Sequence, residues 1–190
     1  MKLEHLKMDK SWTLFLDRDG VINKRLPGAY VGSVQEFEFL DGTLEAIKIF
    51  SAVFRTIVVV TNQQGIGKGL MTGSELETVH NHMIQEVKNS GGRIDKVYHS
   101  PFLKSSNHFT RKPSVGMGLL ARKDFQDIKF KKSIMVGDSL TDMMFGKRLK
   151  MKTVFIGDPI YAKLNKNLID FVFPDLLTFA RQTVLNPTNA

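Results

Sequence analysis

Two aspartates separated by one residue, Asp17 and Asp19, directly follow an apolar run and precede Gly20. Side chains at positions i and i+2 of an extended chain point the same way, so both carboxylates could bind one hard cation. One of them could also attack phosphorus while the other transfers the proton. Taken alone, the tetrapeptide is more often an ordinary turn at a strand end.

Two further polar sets could bind a phosphate. Thr61 and Asn62 follow a β-branched run and offer a hydroxyl and an amide, next to the backbone N–H groups of a Gly-containing turn. Arg111 and Lys112 end a long loop, where a fixed cation could balance the charge of a phosphoryl group. Taken singly, the first set is explained equally well by a polar turn, and the second by surface exposure.

A fourth polar set follows a later apolar run. Asp138 could complete a magnesium site, and Asp142, one helical turn further on, could support it. Asp138 or Ser139 could instead cap the helix that follows. Because each of the four sets lies at a strand end or a helix start, we expect them to converge on one edge of a sheet.

Apolar runs alternate with segments of helical period, and this pattern predicts a parallel α/β sheet. The predicted strands are residues 12–16, 56–60, 94–98, 133–136, 153–156 and 171–173. The predicted helices are residues 43–53, 74–88, 115–125, 140–149 and 175–183, with His80 and His82 on an exposed helix. Two segments, 21–37 and 100–112, are too long for plain connections, and we expect them to shape the ligand site.

The net charge of the 190 residues is +8, and the whole excess lies between Lys104 and Lys152. A localised basic segment suits an anionic ligand, either a phosphorylated metabolite or a nucleic acid backbone, although scattered charges are also typical of a solvated surface. There is no cysteine, and no apolar run reaches the roughly 20 residues that a membrane helix needs. These features, with no signal-peptide pattern at Met1 to Ser11, predict a cytoplasmic, single-domain protein over residues 1–190. A monomer is expected, because no surface stripe indicates a dimer.

In their order along residues 12–142, the four polar sets resemble the four motifs of the haloacid dehalogenase-type phosphatases. The resemblance implies an α/β fold with a three-layer, Rossmann-like parallel sheet and a minimal cap. It also implies Mg²⁺-dependent hydrolysis of a phosphomonoester.

The resemblance assigns a role to each motif residue. Asp17 would be the nucleophile that forms a phospho-aspartate, and Asp19 the acid that protonates the leaving oxygen and then activates water. The carboxylates of Asp17 and Asp138 would bind Mg²⁺ together with the backbone carbonyl of Asp19. Thr61 and Lys112 would bind the transferring phosphoryl group.

Longer matches are similar to the histidinol-phosphatase-like branch, which includes enzymes of heptose biosynthesis. The matching runs are Asp17–Asn23, Tyr30–Val31, Phe37–Gly42, Thr61–Ile66, Arg111–Pro113 and Gly116–Met117. The implied substrate is a sugar bisphosphate, D-glycero-D-manno-heptose 1,7-bisphosphate, and Arg111 would bind its second phosphate through a planar fork of donors.

The chain departs from that branch at two places. Its members usually hold a structural zinc through three Cys and one His. The loop 98–110 here has no Cys, and His99 and His108 are its only candidate zinc ligands. A structural zinc is therefore not expected. Ser139 stands where the heptose enzymes commonly have Lys.

Three alternatives stay open. Histidinol phosphate would use the same chemistry, as would the 3′-phosphate end of a polynucleotide, which the basic segment 104–152 favours. Single-strand binders usually carry aromatic residues within a basic groove, and this segment has few of them, so nucleic acid is the less favoured partner. An inactive binding module is disfavoured because the motif residues are intact.

Overall fold

The computed structural model describes residues 6–184, and within them six parallel strands form one sheet. The strands are β1 (Thr13–Leu16), β2 (Thr56–Asn62), β3 (Lys96–Ser100), β4 (Ser133–Gly137), β5 (Lys152–Ile156) and β6 (Phe171–Phe173). The α-helices are α1 (Thr43–Val53), α2 (Gln64–Gly67), α3 (Gly73–Asn89), α4 (Gly116–Asp124), α5 (Leu140–Arg148), α6 (Pro159–Leu164) and α7 (Leu176–Val184). Two short 3₁₀ helices cover Lys104–Ser106 and Phe130–Lys132.

Helices cover both faces of the sheet, which gives the three layers that the sequence predicts. Successive residues of a strand point to opposite faces, so Leu14 and Leu16 of β1 pack with α1, α3 and α7, whereas Phe15 packs with α4 and α5. Because both faces are buried, the strands are nearly continuous apolar runs rather than alternating ones.

The order of strands across the sheet is β3-β2-β1-β4-β5-β6, so the direction of winding reverses between β1 and β4. In open α/β sheets, ligands bind in the crevice beyond the carboxyl ends of the strands at such a reversal. Asp17 follows β1 and Asp138 follows β4, and the backbone N–H of Asp17 donates to the Val136 carbonyl at 2.9 Å. The crevice therefore begins between these two aspartates.

The predicted strands and helices are confirmed, with ends that agree within two residues. The largest shift is in β3, which begins at Lys96 rather than at residue 94. The Asp95 N–H donates to the Ile57 carbonyl and the Asp95 side chain accepts from the Ile57 N–H, and the paired register begins at the next residue, with Lys96 opposite Val58. The short helices α2 and α6 were not predicted, because four to six residues are too few to show a helical period.

The segment 21–37 contains no helix or strand, but Asn23 ties its start to Asp19 and to Phe39 through isolated β-bridges. The segment 100–112 contains only one of the 3₁₀ helices. None of the helices in the described part of the chain has the length and apolar character needed to span a membrane.

Candidate active site

Asp17 lies at the carboxyl end of β1 and is buried. Gly20 makes the turn that follows, with φ of +87°, a left-handed conformation that glycine adopts without strain. A Cβ on Gly20 would lie only 2.0 Å from Oδ2 of Asp138, so any larger residue would push the two aspartate-bearing strand ends apart. Glycine is thus required both by the turn and by the close approach of Asp138.

Lys112 is buried, and its ammonium contacts three oxygen atoms. Its Nζ lies 2.9 Å from Oδ1 of Asp17 and 2.6 Å from Oδ1 of Asp142, and it donates to the Val60 carbonyl at 2.6 Å. Asn62 fixes the backbone of Lys112, because its side-chain amide donates to the Lys112 carbonyl and its side-chain oxygen accepts from the Lys112 N–H. The predicted site residue Asn62 therefore acts in this geometry as a clamp on Lys112.

Asp19 is surrounded by donors. The guanidinium of Arg18, which is fully buried, donates to both of its carboxylate oxygens, at 2.8 and 3.1 Å. Asn23 donates to Oδ1, and Gln63 donates both to Oδ2 and to the hydroxyl of Thr61. Gln63 thereby connects two residues that the sequence assigns to different motifs.

His80 corrects one expectation from the sequence. It was expected on an exposed helix, but α3 packs it against the buried side of the site, where its Nε2 lies 3.2 Å from Nη1 of Arg18. Burial, together with the charge of Arg18, lowers the pKa of His80 to about 3. Its ring is therefore neutral and accepts from Arg18. A helical pattern alone could not reveal this contact, because Arg18 is 62 residues away in sequence.

Three carboxylates lie close enough to hold a cation. Oxygens of Asp17, Asp138 and Asp142 all lie within 4.8 Å of one another. Asp142 already uses both of its oxygens, one on Lys112 and the other on the N–H and hydroxyl of Ser139. Asp142 thus helps to hold Lys112 in place, and its carboxylate stays close to those of Asp17 and Asp138.

The Asp19 carbonyl also fits a cation site. One nitrogen of the Arg25 guanidinium donates to Oδ1 of Asp138 at 2.8 Å and to the Asp19 carbonyl at 3.2 Å. These two oxygens can therefore share a single cation. Carboxylate and carbonyl oxygens are the ligands that Mg²⁺ prefers, so the residues present fit the implied metal.

The environment shifts the ionisation of each group. Burial, assisted by Asp142, raises the pKa of Asp17 to about 7 against the opposing charge of Lys112. Burial likewise raises the pKa of Asp138 to about 6, against the charge of Arg25. Such rises in pKa are expected where several carboxylates are buried close together, because burial and like charges both disfavour the ionised form.

Two of the remaining groups keep their charged forms. Burial opposes the charge of Asp19, but Arg18 and the hydrogen bonds around it outweigh burial and hold the pKa of Asp19 below its usual value. Burial also opposes the charge of Lys112, but Asp142 and Asp17 raise the pKa of Lys112 above its usual value.

A cavity of about 440 Å³, here called the basic cavity, opens in front of Asp17. Its cationic lining residues are Arg25, Lys68, Arg111 and Lys112, and Thr61, Asn62 and Tyr30 line it as well. A cavity of this size suits a small molecule. Every predicted site residue except Asp138 lines it, so the structure brings them together at one opening.

A second cavity of about 740 Å³, here called the acidic cavity, is lined by Asp138, which does not line the basic cavity. Its carboxylate lining residues are Asp41, Asp138, Asp158 and Asp175, and its lining includes no Lys, Arg or His. The stacked rings of Phe155 and Tyr161 form part of its wall. No sequence pattern indicates this cavity, because its lining residues come from five separate segments.

The loop before Lys112 positions Arg111. Nη1 of Arg111 donates to the Phe102 carbonyl at 2.9 Å, and the rings of Phe102 and His108 stack with centroids 3.4 Å apart. His108 also contacts the hydroxyl of Thr110, which donates to Ser100. His108 therefore contributes to the packing of this loop.

Comparisons with known proteins agree with this geometry. The family model of the polynucleotide kinase 3 phosphatase matches residues 14–181. The chain is 38% identical over 147 residues to the D-glycero-alpha-D-manno-heptose-1,7-bisphosphate 7-phosphatase of Campylobacter jejuni, a match that covers 77% of this chain and 83% of that protein. It is 35% identical over 173 residues to the D-glycero-beta-D-manno-heptose-1,7-bisphosphate 7-phosphatase of Salmonella typhi, covering 86% and 90%.

Among solved structures, the fold is similar to that of D,D-heptose 1,7-bisphosphate phosphatase from B. bronchiseptica, which was solved with magnesium and phosphate. The TM-score is 0.82 at 28% identity, and the match covers 92% of this chain and 98% of that chain. The corresponding enzyme from Burkholderia thailandensis matches with a TM-score of 0.63 at 30% identity, over 90% of this chain and 97% of that chain.

Proposed function

This chain belongs to the haloacid dehalogenase-like phosphatases, with a domain of the polynucleotide kinase 3 phosphatase type, and we propose that it removes the 7-phosphate of D-glycero-D-manno-heptose 1,7-bisphosphate. The observation that carries the proposal is the position of Asp17, which faces the basic cavity and is paired with the buried ammonium of Lys112 at 2.9 Å. The phosphatase relatives named above act on that sugar bisphosphate.

In the first step, a carboxylate oxygen of Asp17 attacks the phosphorus atom. A bond forms between that oxygen and phosphorus, and the bond from phosphorus to the sugar oxygen breaks. Lys112 lies against the attacking carboxylate and stabilises the negative charge of the phosphoryl group. Thr61, which also lines the cavity, has a hydroxyl that can donate to a phosphoryl oxygen.

Asp19 transfers the proton in both steps. It gives a proton to the departing sugar oxygen, and then removes one from the water that attacks the phospho-aspartate, which yields phosphate and restores Asp17. Arg18 holds the pKa of Asp19 low, so Asp19 must gain its proton when the substrate is bound. A phosphate dianion beside Asp19 favours the neutral carboxyl, because like charges repel.

We further propose Mg²⁺ as the cofactor, held by the carboxylates of Asp17 and Asp138 and the carbonyl of Asp19. When bound, it supplies positive charge that balances the phosphoryl group. Asp142 keeps Lys112 in place beside that site, since its Oδ1 lies 2.6 Å from the ammonium.

The basic cavity supports a substrate with a second phosphate. Arg25, Lys68 and Arg111 line it in addition to Lys112, so more cationic groups are present than one phosphoryl group needs. We propose that the loops 21–37 and 100–112 shape this substrate site and that Arg111 binds the second phosphate.

A polynucleotide 3′-phosphate is the alternative substrate, and the description of the family model favours it. Two observations support a sugar instead. Of the twelve Lys and Arg in the segment 104–152, only Arg111 and Lys112 line the cavity, and Tyr30 is the only aromatic residue in its lining. Binding of a single strand relies on aromatic stacking along a basic groove.

The working unit that we propose is a cytoplasmic monomer with a single domain. It would act on a small phosphorylated metabolite.

The deciding experiment measures phosphate release with Mg²⁺ from a panel of substrates. The panel contains both anomers of the heptose bisphosphate, histidinol phosphate, fructose 1,6-bisphosphate and a 3′-phosphorylated oligonucleotide. We expect the highest kcat/KM for a heptose bisphosphate, and a loss of at least about a thousandfold in kcat for Asp17→Asn. Asp41→Asn, which removes an exposed carboxylate from the acidic cavity, serves as the matched control. Preference for the oligonucleotide would overturn the sugar substrate.

A further inference from the structure

Arg25 contacts the same oxygens that the proposed metal site requires. Its guanidinium nitrogen Nη2 donates to Oδ1 of Asp138 at 2.8 Å and to the Asp19 carbonyl at 3.2 Å. A guanidinium nitrogen and a metal ion cannot occupy the same point between two oxygens. Arg25 and a divalent cation therefore compete for Asp138 and for the Asp19 carbonyl.

The two cations of the site differ in how firmly they are held. Lys112 is 2% exposed and contacts Asp17, Asp142 and the Val60 carbonyl, so its removal would leave buried charges without a partner. The side chain of Arg25 is 54% exposed, and water can replace its hydrogen bonds. An exposed ion pair contributes little net stability, so Arg25 can leave Asp138 at low cost.

Arg25 also lines the basic cavity, where its guanidinium can bind an anion. It belongs to the segment 21–37, which has no helix or strand around Arg25, and its side chain already lines the basic cavity together with Lys68 and Arg111. A guanidinium released from Asp138 would face any anionic ligand in that cavity, with the fork of donors that suits a phosphate.

We propose that Arg25 exchanges with the divalent cation at Asp138: Arg25 leaves Asp138 and the Asp19 carbonyl as the cation binds, and then turns its guanidinium to the anionic substrate. Arg25 thereby lowers the affinity of the free protein for the metal and adds a positive charge to the cavity once the metal is in place. The inference rests on the metal site of the proposed function and adds to it a residue that sets the metal affinity.

The test is a calorimetric titration of Mg²⁺ into the full chain without substrate. Arg25→Gln removes the competing charge, and we expect its dissociation constant for Mg²⁺ to fall by about fivefold or more relative to the unsubstituted protein. Lys24→Gln is the matched control, because Lys24 is the adjacent cation but pairs with the exposed Glu38 instead. We expect its dissociation constant to stay close to that of the unsubstituted protein.

Arg25→Lys is a second variant, which keeps the positive charge on a shorter side chain. Its affinity for Mg²⁺ should lie between that of the unsubstituted protein and that of Arg25→Gln. If Arg25→Gln binds Mg²⁺ no more tightly than Lys24→Gln, the exchange is overturned while the metal site stands. If neither the unsubstituted protein nor Arg25→Gln binds Mg²⁺, the metal site of the proposed function is overturned together with the exchange. Since no substrate is present, both results are independent of which phosphate ester is hydrolysed.

Discussion

The basic cavity, which Asp17 lines, and the acidic cavity, which Asp138 lines, differ in the charge of their lining and in size. The basic cavity is lined by four cations and by Asp17, the proposed nucleophile, whereas the acidic cavity is lined by four carboxylates and no cation. The acidic cavity is the larger of the two, at about 740 Å³ against about 440 Å³. Size alone would therefore select the acidic cavity, whereas the positive charge that a phosphate ester requires favours the basic cavity.

The comparison predicts that substitutions in the basic cavity change stability or catalysis, and that substitutions in the acidic cavity change catalysis little. The largest effect is expected for Lys112→Met, which leaves Asp17 and Asp142 buried without their common partner. We expect the free energy of unfolding in urea to fall by about 3 to 5 kcal/mol, as for other broken buried pairs. Lys68→Met removes an exposed cation from the same cavity and should leave that free energy nearly unchanged.

The second prediction concerns pH in the presence of a chelator. The pKa of Asp17 is about 7 in the folded protein and near 3.8 in the unfolded chain, so the folded state holds its proton longer as pH rises. The stability that the protonated group contributes is present below about pH 4 and is lost as pH rises through about 7. Between pH 5 and 8, Asp17→Asn should therefore gain stability relative to the unsubstituted protein, on the order of 1 to 3 kcal/mol.

Thermal or urea unfolding at a series of pH values measures this difference. The replacement of a protonated carboxyl by an amide adds an offset that does not depend on pH, and the ion pair with Lys112 is already included in the pKa of Asp17, so the slope of the difference is the quantity to compare. A flat difference would show that Asp17 is already ionised at pH 5 in the folded protein. Asp41→Asn, at an exposed position, should give a flat line.

The third prediction tests whether Arg111 binds the second phosphate of the substrate. Arg111→Lys keeps the charge but loses the planar fork, and we expect KM for the heptose bisphosphate to rise about tenfold with kcat little changed. The KM for the 7-monophosphate of the same heptose should be nearly unaffected, because that compound lacks the second phosphate that Arg111 is proposed to bind. Equal losses for both substrates would assign Arg111 to the transferred phosphate instead.

A smaller effect is expected at the loop that positions Arg111. His108→Ala removes the ring that stacks on Phe102, whose carbonyl accepts from Arg111. We expect a rise of about threefold in KM for the bisphosphate, a fraction of the effect of changing Arg111 itself. His108→Phe should restore much of the stacking, and a return of KM toward its original value would separate stacking from any role of the ring nitrogens.

The smallest effect is expected in the acidic cavity. Asp158→Asn removes one carboxylate there and keeps the cap of α6, because Asn caps a helix about as well as Asp. We expect kcat/KM to change by less than about twofold, since the changed side chain is exposed and lies outside the basic cavity. A large loss would break the comparison and show that the acidic cavity takes part in the reaction.

Sequence patterns were sufficient for the sheet and for most of the site. Strand periodicity depends on neighbouring residues, so the buried strands could be located from local sequence. Most motif residues lie at or just beyond the end of a strand, whereas Arg111 and Lys112 lie in the loop before α4. Asp17 and Asp138 come together because their strands pair in parallel, with Leu16 opposite Val136. Parallel pairing places the carboxyl ends of both strands at one edge of the sheet, which is where ligands bind in open α/β sheets.

Only the tertiary structure decided which side chains meet across long separations. Arg25 and Asp138 are 113 residues apart, and Arg18 and His80 are 62 apart. No local pattern indicates these pairs. In the first pair Arg25 lies in an irregular loop, and in the second Arg18 lies in a turn whereas His80 lies in a helix. The same reason applies to the acidic cavity, whose carboxylates lie at the ends of separate elements. Local sequence determined which residues could do chemistry here, whereas long-range packing determined their partners, because contacts between distant segments depend on the whole fold.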